Sequence, residues 1–409
     1  MDTADLTDRG SGMAKVNVGI EGSSSPLMMG DEVILIDASA GGLTADQVTA
    51  SADGTGMAGV TLQYEFGIRV ESDRLIAKVT VGPSASTRAK PLSEGFLAGL
   101  ALVGQGADLA GGQGTAEAVA AAERAGRRGT VDRTGPGVFA AIRGGKIRYD
   151  TGSHVDLESF SVMAGLSWGA DFAPGRLTLG VFAEYGNGSY DTYNSFSDSA
   201  AMHGGGDVTH AGGGILGRMD FSEWRSGTFY AEAGFRAGHA RTEFSSGDLR
   251  DASGRAASYD SSSPYFGMHA GFGRAQRLGD SAMLDVFAKC FWTRQEGDEV
   301  RLSTGDLVRF EDADSRRLRL GGRLTLALGI AASPYIGAAW EREFDGDARA
   351  SANGYPMEAP SLRGGTGIGE IGVAFDPSES LPVSRDIGVQ GYTGKREGVT
   401  GTFALKIEF

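Results

Sequence analysis

Residues 160–185 read FSVMAGLSWGADFAPGRLTLGVFAEY, and their alternation decides the fold. Phe160, Val162, Ala164, Leu166 and Trp168 fall on one face of an extended chain, with small or polar residues between most of them. After the break DFAPG, Leu177, Leu179, Val181, Ala183 and Tyr185 repeat the pattern. A period of two places successive side chains on opposite faces of a strand, so the stretch is two strands joined by a tight turn. The period recurs in Phe229–Phe235, Phe266–Phe272, Leu284–Trp292, Leu318–Leu328, Ile336–Trp340, Ile371–Phe375 and Phe403–Phe409. With fainter runs included there are about a dozen strands in the 280 residues from 130 to 409. That is about 23 residues per strand and loop, ample for the roughly 9–11 that cross a bilayer.

The second face of these strands carries Arg218 and Asp220, Glu232 and Arg236, Asp285 and Lys289, and Arg317, Arg319 and Arg323, among glycine and serine. A soluble sandwich alternates in the same way. Three features favour a closed membrane barrel with a polar lumen: the number of consecutive strands, the glycine content, and aromatics near strand ends (Trp168, Tyr185, Trp292, Trp340). Connections alternate between short (172–175, 278–280, 332–334) and long and polar (188–206, 246–263, 345–362), as periplasmic turns and external loops do.

Composition agrees. Glycine is 66 of 409 residues, well above the usual roughly 7%, and there is no collagen period. A net charge of −14 argues against a phosphate-binding surface, so no nucleic-acid partner is expected. One cysteine, Cys290, allows neither an internal disulfide nor a cysteine-based zinc site, and its phase makes it a small apolar residue. No stretch reads as a transmembrane helix, and residues 1–12 lack the basic and apolar regions of a signal peptide.

Two further regions precede the barrel. Residues 1–82 hold short strand-like runs punctuated by Gly and Asp. Residues 83–129 open with the polar linker PSASTRAKP and continue as Ala-rich helix. There Leu92, Phe96, Leu100, Val103 and Ala107 share one face, with Ser93 and Thr115 as candidate N-caps.

Two enzyme patterns match by accident. Gly165-Leu166-Ser167-Trp168-Gly169 fits a nucleophile elbow, and Gly367, Gly369 and Gly372 fit a phosphate-binding loop, but each lies in an alternating strand without the helix that the chemistry needs. His154, His203, His210, His239 and His269 are scattered, although the last three are candidates to meet near a rim. The acidic runs 296–299 and 311–314 read as solvated surface.

Residues 89–110 (AKPLSEGFLAGLALVGQGADLA), 137–168 (GVFAAIRGGKIRYDTGSHVDLESFSVMAGLSW) and 309–324 (RFEDADSRRLRLGGRL), with the terminal FALKIEF, resemble the translocator domain of autotransporters. The resemblance covers roughly 85–409. It implies an all-β protein: an antiparallel transmembrane barrel of about 12 strands with an α-helix in the pore. Residues 28–41 (MMGDEVILIDASAG) and 64–79 (YEFGIRVESDRLIAKV) resemble the last rungs of a passenger, the autochaperone. The stub is then expected to be β-helix-like, with parallel rungs.

Three units follow: stub 1–82, linker and pore helix 83–129, and barrel 130–409. With the barrel granted, a helix kept thin by Gly and Ala fits the pore, against the plainer reading of an Ala-rich helix on a soluble core. Its pore-facing residues are expected to be Leu92, Glu94, Phe96, Leu100, Val103, Asp108, Glu117, Glu123 and Arg124. Opposite them stand the lumen charges Arg218, Arg236, Asp285, Lys289, Arg317, Arg319 and Arg323. Family members that cut themselves in the pore often do so at an asparagine pair. Here no asparagine lies between Asn17 and Asn187, so the passenger is expected to stay attached or be cut by another protease.

The function implied is export and surface display of an N-terminal passenger from the bacterial outer membrane, without enzyme chemistry, cofactor or metal. Phe403, Leu405, Ile407 and Phe409 would form the C-terminal assembly signal. Expected partners are outer-membrane lipid and lipopolysaccharide, the barrel-assembly machinery, periplasmic chaperones and the chain's own passenger. The rival readings are an omptin-like protease or lipase, and a surface adhesin.

Overall fold

The computed structural model describes residues 3–8, 14–19, 27–38, 54–127, 136–196, 200–328, 332–375 and 383–407. Phe409 lies outside them, as do the side chains of Arg124, Lys406 and Ile407.

The N-terminal strands are β1 (Thr3–Asp8), β2 (Ala14–Gly19), β3 (Glu32–Asp37), β4 (Gly54–Ala58), β5 (Leu62–Glu71) and β6 (Arg74–Ala85). β1 pairs with β2, and β3-β6-β5-β4 form a second sheet. All of these pairings are antiparallel, which corrects the expectation of parallel rungs. The cause is local. β5 and β6 are joined by Ser72-Asp73, both at positive φ (50° and 60°), the two-residue turn that folds a chain back on itself. β6 also runs through Pro83 to Ala85, so part of the expected linker is strand.

Helix α1 (Lys90–Leu109) continues through a wide π-type turn, Ala110–Gly114, into α2 (Thr115–Arg127). The turn breaks at Gly112 (φ −111°, ψ −107°). Neither expected cap serves: Ser93 lies within α1, and the Thr115 hydroxyl donates to the Ala110 carbonyl (2.8 Å). No described helix is long and apolar enough to cross a membrane.

The barrel begins with β7 (Gly137–Asp150), β8 (His154–Phe172), β9 (Gly175–Asn194), β10 (Met202–Phe221), β11 (Gly227–Arg250), β12 (Ala256–Leu278) and β13 (Ala282–Gln295). A loop hairpin, β14 (Glu299–Arg301) and β15 (Leu307–Phe310), precedes β16 (Ala313–Leu326) and β17 (Ala332–Glu343). A second, β18 (Ala350–Ala352) and β19 (Tyr355–Pro356), precedes β20 (Gly364–Phe375), β21 (Val383–Gly394) and β22 (Arg396–Ile407). Twelve strands pair antiparallel with their neighbours, and β22 closes on β7 from Arg396↔Tyr149 to Ile407↔Val138. The two loop hairpins form one four-stranded sheet beyond the wall.

The two longest connections, after β13 and β17, lie at one end, the loop end, together with the short ones at 151–153 and Lys395; the other end, the turn end, has connections of two to seven residues. Much of what the sequence shows as loop is strand: β9 runs to Asn194, β11 to Arg250, and Ala332-Ser333-Pro334 opens β17 instead of forming a turn. Once the wall leaves an apolar surrounding, polar residues on both faces erase the alternation but not the hydrogen bonds. The apolar stripes face outward as expected: Phe160, Leu179, Ile215, Phe272, Ile336, Ile371 and Phe403 are exposed, as is Cys290.

Candidate functional site

A barrel of eight strands is filled by its own side chains; twelve leave a lumen wide enough for a helix of about 10–12 Å diameter. α1 occupies it. The face-specific burial expected from the sequence gives way to burial on all sides, because wall surrounds the helix: Leu92, Glu94, Phe96, Leu100, Val103 and Asp108 are all buried. Gly95 shows how close the wall comes, since a Cβ there would lie 2.5 Å from the Tyr259 hydroxyl and 2.7 Å from that of Tyr190.

At the loop end, Glu94 is held by uncharged donors instead of the expected arginines. Thr151 and Ser153 donate to one oxygen (2.7 and 2.9 Å), and the Asn194 amide donates to the other (2.5 Å). Phe96 stacks on Phe310 with centroids 4.7 Å apart, and the Tyr259 hydroxyl donates to the Leu92 carbonyl (2.8 Å). Lys90 pairs with Glu358 (2.8 Å).

Mid-pore, Asp108 is the centre of the charge pattern. Arg317 Nη1 and Arg319 Nη2 each donate to Oδ1 (2.6 Å), and Arg396 Nη1 donates to Oδ2 (2.9 Å). The same three arginines reach Glu341, at 3.4, 2.6 and 2.6 Å. Arg317 also donates to the Gly104 carbonyl (3.1 Å). On the opposite wall, Arg236 donates to the Val103 carbonyl and pairs with Glu184 (2.8 Å), which accepts the Tyr265 hydroxyl (2.6 Å). Buried charges persist only when paired and hydrogen-bonded, and these are.

At the kink, Lys289 donates to the Gly111 carbonyl (2.7 Å) and pairs with Glu232 (2.5 Å). Arg218, Asp285 and Arg323 face the lumen and bond to the wall residues Asp220, Tyr230 and Glu370. A polar cavity of about 110 Å³ lies here, lined by Gly112, Gln113, Asp285, Lys289 and Arg323. It has room for a few waters. α2 then packs on Phe139 and Met163 through Ala118 and Ala121. The Ser167 hydroxyl donates to the Ala118 carbonyl (2.7 Å), and Arg176 donates to that of Ala122 (3.1 Å). Glu117 is buried and bonds to Gln113 (2.7 Å), whereas Glu123 is exposed, contrary to the expected lumen pairing.

Glu184, Glu341 and Arg396 carry no local sequence signal beyond the phase of their strands. Each is out of phase with the lipid stripe on its own strand, so counting back from Phe403 and forward from Trp340 places Arg396 and Glu341 inside. The histidine trio does not form: His210 and His269 are buried, and His239 faces outward. The acidic runs brace loops. Asp312 accepts the Gly297 N–H (2.8 Å) and pairs with Arg294, which hold its carboxyl below the usual carboxylate range.

Residues 138–384 match the family model of the autotransporter beta-domain. The fold is similar to the transport unit of the autotransporter AIDA-I from Escherichia coli, at 15% identity over 70% of this chain and 95% of that one, with a TM-score of 0.52. It is similar to the translocator domain of NalP from Neisseria meningitidis, at 12% identity over 75% and 97%, TM-score 0.52. The beta domain of Bordetella BrkA shares 15% identity over 67% and 99%, TM-score 0.50. None of the curated proteins matches the chain.

Proposed function

This chain belongs to the autotransporter family, and from that premise we propose how its barrel works. The protein is a bacterial outer-membrane translocator that exports and displays its own N-terminal passenger. The observation that carries the working model is the direction of the pore helix. Its N-terminal residue Lys90 meets Glu358 at the loop end, directly after the stub, whereas Ala121 packs against Gly137, where the wall starts, at the turn end. The chain therefore leaves the periplasmic end, crosses the lumen and emerges outside as the stub.

In this reading Asp108, clamped by Arg317, Arg319 and Arg396, pins the helix in the lumen once export ends. Glu94 and the Val103 and Gly104 carbonyls fix its rotation, and the process involves no covalent reaction. The helix is the plug of the pore. Deleting residues 91–128 should raise single-channel conductance in planar bilayers at least severalfold; equal conductance would remove the helix from that role.

The expected partners remain part of the proposal: outer-membrane lipid and lipopolysaccharide, periplasmic chaperones, and a barrel-assembly machinery that reads the stripe Phe403, Leu405, Ile407 and Phe409. The support is that β22 is the closing strand, whose edge stays open until it pairs with β7. Removing Phe409 should lower the yield of assembled barrel in the outer membrane, and an unchanged yield would rule out that signal.

A further inference from the structure

The loop hairpin β14–β15 turns through Leu302–Asp306 and presents one carboxylate to the N-terminal sheet. Asp306 is fully buried. Its Oδ1 accepts the Thr61 hydroxyl (2.8 Å), and its Oδ2 accepts the Thr304 hydroxyl (2.7 Å) and the Val60 N–H (3.3 Å). Among the described residues no lysine, arginine or histidine forms an ion pair with it. A buried unpaired carboxylate is costly unless donors surround it, and two of these three donors come from the stub.

The fit is specific. Gly59, just before these donors, has φ +61°, and a Cβ there would lie 2.1 Å from Asp306 Oδ1, so the turn carries glycine for backbone and space alike. Val60 packs in one apolar core with Leu302, Val308 and Ala352, residues of both loop hairpins. Tyr355 of the second hairpin packs against the core of the stub sheet, and Ser86 N–H donates to the Thr61 carbonyl (2.8 Å), tying the seat to the mouth of the helix.

We propose that the loops after β13 and β17 form a receptor for the exported chain itself, in which the Asp306 carboxylate recognises the Gly59-Val60-Thr61 turn and holds the emerging sheet in one register over the pore. The proposal rests on the export reading above, where residues preceding the helix lie outside. It adds that the stub is held by recognition as well as by the covalent chain.

The test is hydrogen exchange on the detergent-solubilised full chain, with the heat-dependent gel shift reporting the barrel. Thr61→Val should speed exchange of amides in residues 54–71 at least tenfold, with β8–β12 and the gel shift unchanged. Thr61→Ser, which keeps the donor, should stay near wild type, and Asp306→Ala should match Thr61→Val. Wild-type exchange in Thr61→Val would overturn the proposal, whatever Asp306→Ala does to its own loop. So would Thr61→Ser exchanging as fast as Thr61→Val, because the methyl and not the hydroxyl would then carry the contact. An empty pore in the conductance experiment would defeat the plug and leave this result standing.

Discussion

The two halves of the pore helix are held by different physics. The outer half, α1, is gripped through polar atoms: Asp108 by three guanidiniums, Glu94 by three uncharged donors, and the Leu92, Val103 and Gly104 carbonyls by Tyr259, Arg236 and Arg317. The inner half, α2, sits on the wall mainly through alanines, with Ser167 and Arg176 bonding its carbonyls and Glu123 exposed. Between them lie the break at Gly112 and its polar cavity. The anchor of the helix is thus at the loop-end side of the kink, and the inner half follows by shape.

That contrast is open to attack by mutation. Asp108→Ala leaves three guanidiniums around Glu341 alone and should cost about 3–5 kcal/mol, the range for breaking a buried ion cluster. The gel shift of the full chain should then collapse at a clearly lower temperature, while Glu123→Gln changes stability by no more than about 0.5 kcal/mol. Equal effects would erase the distinction between the halves.

A second comparison stays within α1. Gly95→Ala drives a methyl into two tyrosine hydroxyls and should destabilise by about 1–3 kcal/mol. Gly104→Ala meets only Arg317 at 3.9 Å and should stabilise by up to about 1 kcal/mol through helix propensity. Opposite signs in thermal melts would locate the tight contact at the loop-end mouth; the same sign would mean that the wall yields. A small loss is also expected at α2, where Ser167→Ala removes one hydrogen bond worth about 1 kcal/mol. A loss as large as that of Asp108→Ala would make the inner half an anchor too.

The wall was legible because a lipid-facing stripe is a strict period of two, and Phe160 to Trp168 keep it without a fault. The ends of the strands were not. At Gly188–Asn194 both faces are polar, and hydrogen bonds continue where hydrophobicity no longer marks them. The pore was half legible. Arg317 and Arg319 could be placed in the lumen by parity, but their convergence with Arg396 on Asp108 joins residues up to 288 positions apart, which no local pattern records. Glu94 shows the reverse failure: charge complementarity suggested arginine, and three neutral donors do the work instead. The stub misled because short apolar runs do not reveal pairing direction; only the Ser72-Asp73 turn does.

The length of β11 has a consequence for where the passenger meets its surroundings. Its 24 residues at about 3.3 Å each make a ribbon of about 80 Å, or about 60 Å in height at a tilt of about 40°. Only about 25 Å of that is needed for the apolar band. The remainder, together with the loop sheet, rises beyond the apolar band at the loop end, so the stub sits well clear of that band. A displayed passenger starts its reach from that elevation, before any of its own length is counted.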